Sequence, residues 1–150
     1  MLQFDNTINL ELKPVASLRS HTYGIDSVQF NPVNSHEMMS ASHDEHICFW
    51  DLNKMQVTNK VHLPGKGIWC AEYAADGKSI YAGTSSTKLF KVNCGTNKYE
   101  EHDFSSDLNT ITSLSIHPSG KYIAISGSSQ KALFLDVNSI TSPLSTVSSR

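Results

Sequence analysis

The sequence predicts an all-β fold in which one unit of short strands recurs along the chain. The first indication is an apolar strand that ends, at two equal intervals of 43 residues, at Phe30, Tyr73 and Ile116. The second indication is a turn directly after each of those strands, at residues 31–32, 75–77 and 117–120. Because Pro fixes φ and Gly permits positive φ in such turns, each one predicts a hairpin.

Further strands follow within each unit at the same period. Segments rich in small residues predict second strands over 38–42, 80–84 and 123–127, and apolar segments predict third strands over 47–51, 89–93 and 132–136. Outer strands are predicted over 15–19, 57–62, 101–105 and 144–148. The third strands align Trp50, Val92 and Leu135 at intervals of 42 and 43 residues. Three copies at nearly constant spacing predict the architecture better than any single match.

The first copy also carries a set of polar residues in a fixed order. His21 precedes the first strand, and Asp44 stands six residues before the Trp-Asp pair at 50–51. This order, over about forty residues, resembles one repeat of the WD40 family. The resemblance implies β-propeller blades of four antiparallel strands, about three to three and a half of them in this chain. The later copies are degenerate, with Ser86 and Ser129 in place of the turn Asp.

The same resemblance gives these polar residues a structural role. In WD repeats a His, a Ser or Thr, an Asp and a Trp form one hydrogen-bonded chain, here His21, Ser40 or Ser42, Asp44 and Trp50. A buried indole N–H and a buried carboxylate both need partners, and such a chain supplies them. Ser, His and Asp could also form a hydrolase triad, but the Gly-x-Ser-x-Gly elbow is absent. We therefore predict a structural network and no catalytic residue.

The number of repeats is smaller than a closed ring needs. The chain of 150 residues divides into repeats of about 21–62, 63–106 and 107–150, after a blade remnant over 1–20 in which residues 4–5 take the Trp-Asp position. Propellers usually close with about 4–8 blades, and half a ring would expose apolar flanks. Three explanations stay open: a fragment or truncated product of a longer propeller, two copies joined into one ring, or a partner chain that supplies the missing blades.

Composition excludes several classes of function. The net charge is −2 with scattered basic residues, so no direct nucleic-acid partner is expected. No segment approaches the about 20 apolar residues of a membrane helix, and the N-terminus lacks the pattern of a signal peptide. Three cysteines, an odd number without a Cys-x-x-Cys motif, indicate reduced thiols in a cytoplasmic or nuclear protein.

One cluster could in principle bind a metal ion. His43, His46 and Cys48 lie around the same turn, and their side chains are ordinary zinc ligands. Two of the three stand on a strand beside that turn, where a structural role is the commoner explanation. We therefore predict no metal site and no cofactor.

The predicted contact surface is the narrow face of the propeller, where turn residues surround the channel. By resemblance, this face commonly binds peptides or other domains. The candidate contacts are Tyr23, Asp26, His43, Trp69, Ser85, Thr112 and Ser128. Trp69 could be an exposed anchor, since Trp is enriched at interface hot spots, or it could fill the gap left by the small Ala71.

The resemblance implies a non-catalytic scaffold that holds protein partners in an intracellular complex. The alternatives are the substrate receptor of a ubiquitin ligase and a propeller subunit of an enzyme complex. Such receptors often carry an Arg two residues after the Trp-Asp pair, and here Asn53 stands at that position. An enzyme would need acids, histidines or metal ligands that converge at the channel, and the histidines are scattered over different repeats.

Overall fold

The structure, a computed structural model, describes residues 13–65, 67–140 and 144–148, and these contain twelve strands in three sheets and no helix. The first sheet comprises β1 (Ile25–Phe30), β2 (Glu37–Ser42), β3 (His46–Asp51) and β4 (Gln56–His62). The second comprises β5 (Ile68–Tyr73), β6 (Ser79–Thr84), β7 (Lys88–Asn93) and β8 (Tyr99–Asp103). The third comprises β9 (Ser113–Ile116), β10 (Tyr122–Ser126), β11 (Lys131–Asp136) and β12 (Ser145–Ser148).

Each sheet has the topology of one propeller blade. Its four strands are antiparallel and follow one another across the sheet in chain order. The predicted all-β fold of four-stranded blades is confirmed, and among the described residues the three sheets do not close into a ring. The same ranges contain no helix that could cross a membrane.

One predicted outer strand is wrong and another is shifted. Residues 15–19 form no strand, because none of the described strands lies beside them to pair with their backbone groups. Residues 2–5, which were predicted to belong to the same blade, lie outside the described residues. The strand β8 begins two residues before 101, because the preceding turn is tight. In that turn Asn97 has a φ of 59°, and Asn93 N–H donates to Lys98 O at 2.8 Å.

Apolar side chains between consecutive sheets hold the blades together. One cluster, between the first and second sheets, includes the buried residues Met39, Ile47, Phe49, Ile80 and Phe90. A second cluster, between the second and third sheets, includes Tyr81, Leu89, Ile123, Ile125 and Leu133. Burying one such side chain contributes about 1.5–3 kcal/mol relative to exposure. The stacking of sheets on their neighbours is therefore the main source of stability, and β1, β5 and β9 form the inner edge of the stack.

Two of the three predicted turns after the first strands depend on glycine. Gly77 has a φ of 66° and Gly120 a φ of 70°, values that glycine adopts without strain. Their N–H groups donate to Ala74 O at 2.9 Å and to His117 O at 2.7 Å. In the first blade Asn31 closes the turn, since its side-chain oxygen accepts two backbone N–H groups of the loop.

Gly127 occupies a place where the third blade has no room for a side chain. A Cβ there would overlap the carbonyl oxygen of Thr110, whereas a Cβ at Gly24 would meet nothing within 4 Å. We expect Gly127→Ala to lower the free energy of unfolding by about 2 kcal/mol, because the backbone of Thr110 must move to make room. Gly24→Ala is the matched control and should change it by less than about 0.5 kcal/mol. Urea denaturation measures both, and equal effects would contradict the prediction.

Candidate functional site

The polar residues of the first blade form one continuous chain of hydrogen bonds. Trp50 Nε1 lies 2.8 Å from Ser40 Oγ, which in turn lies 2.7 Å from His21 Nε2. His21 Nδ1 lies 3.0 Å from Asp44 Oδ2. The side chains of His21 and Asp44 are almost completely buried, as is Trp50. The chain thus ties the segment before β1 to β2, to β3 and to the turn between them.

The chemistry of the donors fixes the direction of this chain. An indole nitrogen can only donate, so Ser40 Oγ accepts from Trp50, and the hydroxyl proton of Ser40 is free to point at His21 Nε2. A neutral imidazole that accepts at Nε2 carries its proton on Nδ1 and donates it to the carboxylate of Asp44. Every polar group then has a partner, which is the condition for burying such groups without a large penalty.

Asp44 is held as a carboxylate by several donors. Burial by itself raises the pKa of this carboxyl group, but the hydrogen bonds outweigh burial and leave the pKa below its usual value. Thr22 N–H donates to it at 2.9 Å, His21 donates from Nδ1, and His46 N–H donates at 3.1 Å. Asp44 is therefore the point at which the loop before β1 is fastened to the β2–β3 turn.

Ser40 is the hydroxyl residue of the chain, and Ser42 has a separate role. Ser42 Oγ accepts the N–H of Asp44 at 3.0 Å and donates to the carbonyl oxygen of Tyr23 at 3.4 Å. Side chains two residues apart on a strand point to the same face, so the sequence pattern treats both serines alike. Only the position of Trp50 opposite Met38 on the paired strands brings the indole to Ser40.

The geometry of this chain does not suit nucleophilic catalysis. Ser40 is buried, and its oxygen is engaged with Trp50 and His21. A serine nucleophile needs an open approach for substrate and nearby donors for the oxyanion. Ser40 instead lies in the middle of β2, paired with Val28 on one side and Cys48 on the other. The arrangement can hold a loop in place, but it leaves no open path by which a substrate could reach Ser40.

The later blades keep only remnants of the polar chain. In the second blade Thr84 Oγ1 lies 2.7 Å from Ser86 Oγ, so two hydroxyl groups stand at the positions of Ser42 and Asp44. In the third blade Gly127 stands one repeat after Thr84, and Ser129 Oγ is buried without a hydrogen-bond partner among the described residues. Apolar packing, and not a polar chain, therefore holds these two blades together.

Three of the predicted contact residues meet at the end of the first two sheets. Asp26 and His43 are joined by a hydrogen bond of 2.5 Å between Oδ2 and Nδ1. The ring of His43 also packs against Trp69, with 5.5 Å between ring centroids. Trp69 is 41% exposed, so it lies on the surface and does not fill the core beside Ala71. Tyr23, which is 73% exposed, stands in the loop next to them.

The remaining candidates lie at the same end of the molecule but outside this cluster. Ser85 is half-buried, and its N–H donates to Gly67 O at 2.9 Å. Thr112 is half-buried, and Ser128 is exposed, with its hydroxyl 3.1 Å from Thr110 Oγ1. The structure therefore brings Asp26, His43 and Trp69 together, with Tyr23 in the adjoining loop, and it leaves the other three as separate polar positions along the rim.

Sequence reasoning missed two residues that position this site. Gly67 lies so close to His43 that a Cβ would stand 2.8 Å from its Cα, so glycine permits the approach of the two loops. Ser20 Oγ lies 3.5 Å from the sulfur of Cys48 and packs the loop against β3. Neither residue belongs to a local pattern, because both contacts join residues far apart in the chain.

The residues considered for a metal site have separate partners. His46 Nδ1 lies 2.6 Å from the carbonyl oxygen of Asp44, and Cys48 is buried, which raises the pKa of its thiol. His43 is engaged with Asp26. In the described part of the chain no group of three or more His, Cys, Asp or Glu side chains is placed to hold a metal ion.

Comparison with known proteins adds one finding to this geometry. The family model described as "WD domain, G-beta repeat" matches residues 12–51 and 96–135, which together make up more than half of the chain. Both matched segments end at the third strand of a blade, at or next to Asp51 and Asp136. A comparison with curated proteins finds no match.

Proposed function

Because the chain belongs to the WD-repeat family, we propose that it is a non-catalytic scaffold that binds protein partners through the narrow face of its blades. WD repeats generally mediate protein–protein interactions. The observation that carries the proposal for this chain is the exposed aromatic cluster at the junction of the first two sheets. Two hydrogen bonds, from Ser42 Oγ to Tyr23 O and from Thr22 N–H to Asp44, hold the loop from which Tyr23 projects.

The chemistry of the cluster suits a protein interface. Trp69 and Tyr23 present large apolar surfaces to water, and Trp and Tyr are the residues that most often dominate binding energy. Asp26 and His43 add polar groups beside the indole. Such groups orient a bound partner, which apolar surface alone does not do. A partner that covers the indole would remove apolar surface from water and would meet these polar groups at its edge.

The same proposal includes the setting in which the scaffold works. All three cysteines are free thiols, two of them buried, which suits a reducing compartment such as the cytoplasm or the nucleus. The chain acts as one WD-repeat region, and further blades of a longer propeller, a second copy or a partner chain complete its ring.

Alanine substitution at the two exposed aromatic residues tests the contact face. We expect Trp69→Ala and Tyr23→Ala each to weaken partner binding by about 30-fold or more, since hot-spot residues contribute about 2 kcal/mol or more. A partner captured by the wild-type chain is titrated calorimetrically against each variant. Melting temperatures should stay close to that of the wild type, because neither side chain is part of the core.

Tyr99→Ala provides the matched control for this experiment. Tyr99 is as exposed as Trp69 but lies on β8, the outer strand of the second blade, away from the narrow face. Its replacement should leave partner affinity unchanged. If both narrow-face variants bind as well as the wild type, the partner uses another surface and the proposed contact face is wrong.

A further inference from the structure

Two of the inner strands carry a β-bulge at the same position of the repeat. The register of β1 against β2 shifts around Asp26, which is an extra residue without a partner on β2. The register of β5 against β6 shifts in the same way around Trp69, which stands 43 residues later. The extra residue of a bulge leaves the regular pairing, so a bulge aims its side chain where an unbroken strand would not. The two bulges thus present Asp26 and Trp69 at the same end of adjacent blades.

The third blade has no counterpart of this pair of bulges. Thr112 stands one repeat after Trp69, just before β9, and the register of β9 against β10 is regular over its whole length. The N–H of Thr112 donates to Ser126 O at 3.0 Å and so continues the same pairing. Among the described residues, the junction of the first and second blades is therefore the place where bulges bring a carboxylate and an indole to one end of the molecule.

His43 joins the two bulged residues across this junction. Its Nδ1 bonds to Oδ2 of Asp26, and its ring packs against the indole of Trp69. A carboxylate only accepts, so Nδ1 carries the proton, and a neutral imidazole is sufficient for this bond. Asp26 then keeps its negative charge, and its Oδ1 has no hydrogen-bond partner in the described part of the chain. We call these three residues, Asp26, His43 and Trp69, the bulge cluster.

The bulge cluster offers an aromatic surface and a negative charge to the same ligand. The side chains of Asp26 and His43 are 34% and 39% exposed, and Trp69 is 41% exposed. In the ranges that the structure describes, no lysine or arginine forms an ion pair with Asp26. The face of an aromatic ring attracts cations, and so does a carboxylate that no cation neutralises. The chemistry of the cluster therefore favours a cationic group over a neutral or anionic one.

From this geometry we propose that the partner of the narrow face presents an arginine side chain to the bulge cluster. A guanidinium group is planar, so it stacks on the indole of Trp69 while its N–H groups donate to Oδ1 of Asp26. The hydrogen bonds to the carboxylate are charge-assisted, which makes them stronger than those of a neutral donor. A lysine ammonium group is a compact charge and lacks the planar stacking surface. This inference rests on the proposed function, because it names the chemistry of the partner that the same surface binds.

A nuclear magnetic resonance titration with an arginine peptide tests the proposal. The probe is an acetylated and amidated peptide with one arginine between glycines. The chain has two tryptophans, so its spectrum contains two indole N–H signals, and Trp69→Phe identifies the one that belongs to Trp69. We expect this signal to shift and to saturate as peptide is added. The indole N–H of Trp50 is buried and bonded to Ser40, so it should stay in place and serve as an internal control.

The same peptide with citrulline in place of arginine is the matched ligand control. Citrulline keeps the planar shape and hydrogen-bond donors of arginine but carries no charge, so we expect it to bind about tenfold more weakly or worse. Asp26→Asn keeps an oxygen acceptor for His43 and removes the charge, and it should weaken binding of the arginine peptide by about the same factor. Asp76→Asn, in the exposed turn between β5 and β6, is the matched control variant and should bind the arginine peptide like the wild type.

Two results would overturn the proposal. One is equal affinity for the arginine and citrulline peptides, and the other is a Trp69 signal that does not respond to the arginine peptide. Neither result touches the proposed function, because Trp69→Ala can still weaken binding of the captured partner through lost apolar contact. If Trp69→Ala instead binds the captured partner like the wild type, the proposed contact face is wrong, whatever the peptide does. The two failures are therefore distinguishable.

Discussion

Trp50→Ala is expected to lower the free energy of unfolding by about 3–5 kcal/mol, the usual range for replacing a buried aromatic side chain by alanine. Trp50 is buried on β3, and its N–H is the donor at one end of the hydrogen-bonded chain. The substitution leaves a cavity beside Ser40 and removes one of its two partners. Urea denaturation followed by circular dichroism measures the loss, because the other tryptophan still dominates the fluorescence of the variant.

Trp69→Ala is the matched control, since it removes the same side chain from the surface. A partly exposed Trp should contribute less than about 1 kcal/mol of stability. If the two variants lose similar stability, the buried position of Trp50 does not have the importance we assign to it. Trp50→Phe separates the two components, because it keeps most of the apolar volume and removes only the indole N–H.

Asp44→Ala is expected to lower the free energy of unfolding by about 3 kcal/mol at neutral pH. The substitution leaves the Nδ1–H of His21 and the N–H of His46 without their acceptor, and each buried unpaired donor costs about 1–3 kcal/mol. Thr22 N–H lies at an exposed residue and can bond to water instead. Urea denaturation at neutral pH gives the difference.

The effect of Asp44→Ala should depend on pH in a definite direction. The pKa of Asp44 is lower in the folded chain than the ~3.9 of an unfolded Asp, so its contribution is complete above that value. The contribution is lost as the pH falls through the folded pKa. The gap between wild type and variant should therefore narrow below about pH 4. Asp76→Asn, at an exposed turn, is the control and should show a small gap at every pH; a constant gap for Asp44→Ala would contradict the assignment.

Much of the first blade could be predicted from the sequence because its signals are local. The 43-residue period, the small-residue second strands and the Gly or Pro turns specify where strands begin and end, within two residues in most cases. The order of His21, Asp44 and Trp50 indicated a network, and all three take part in the chain of hydrogen bonds. The prediction of an outer strand over 15–19 was wrong because it relied on local signals alone. A strand also requires a neighbouring strand, and no local pattern shows whether one is present.

The sequence by itself determined the strands, their period and the face of each strand on which a residue lies, because alternation along a strand is a local property. The tertiary structure decided how deep each residue lies. In the folded chain Trp50 bonds to Ser40 and not to Ser42. Trp69 lies at the surface, packed against His43. The tertiary structure also left Ile25 exposed, whereas the residues at the same position of the two later repeats are buried. The physical reason is the same in each case: burial depends on what packs against a face, and residues far apart in the chain supply it.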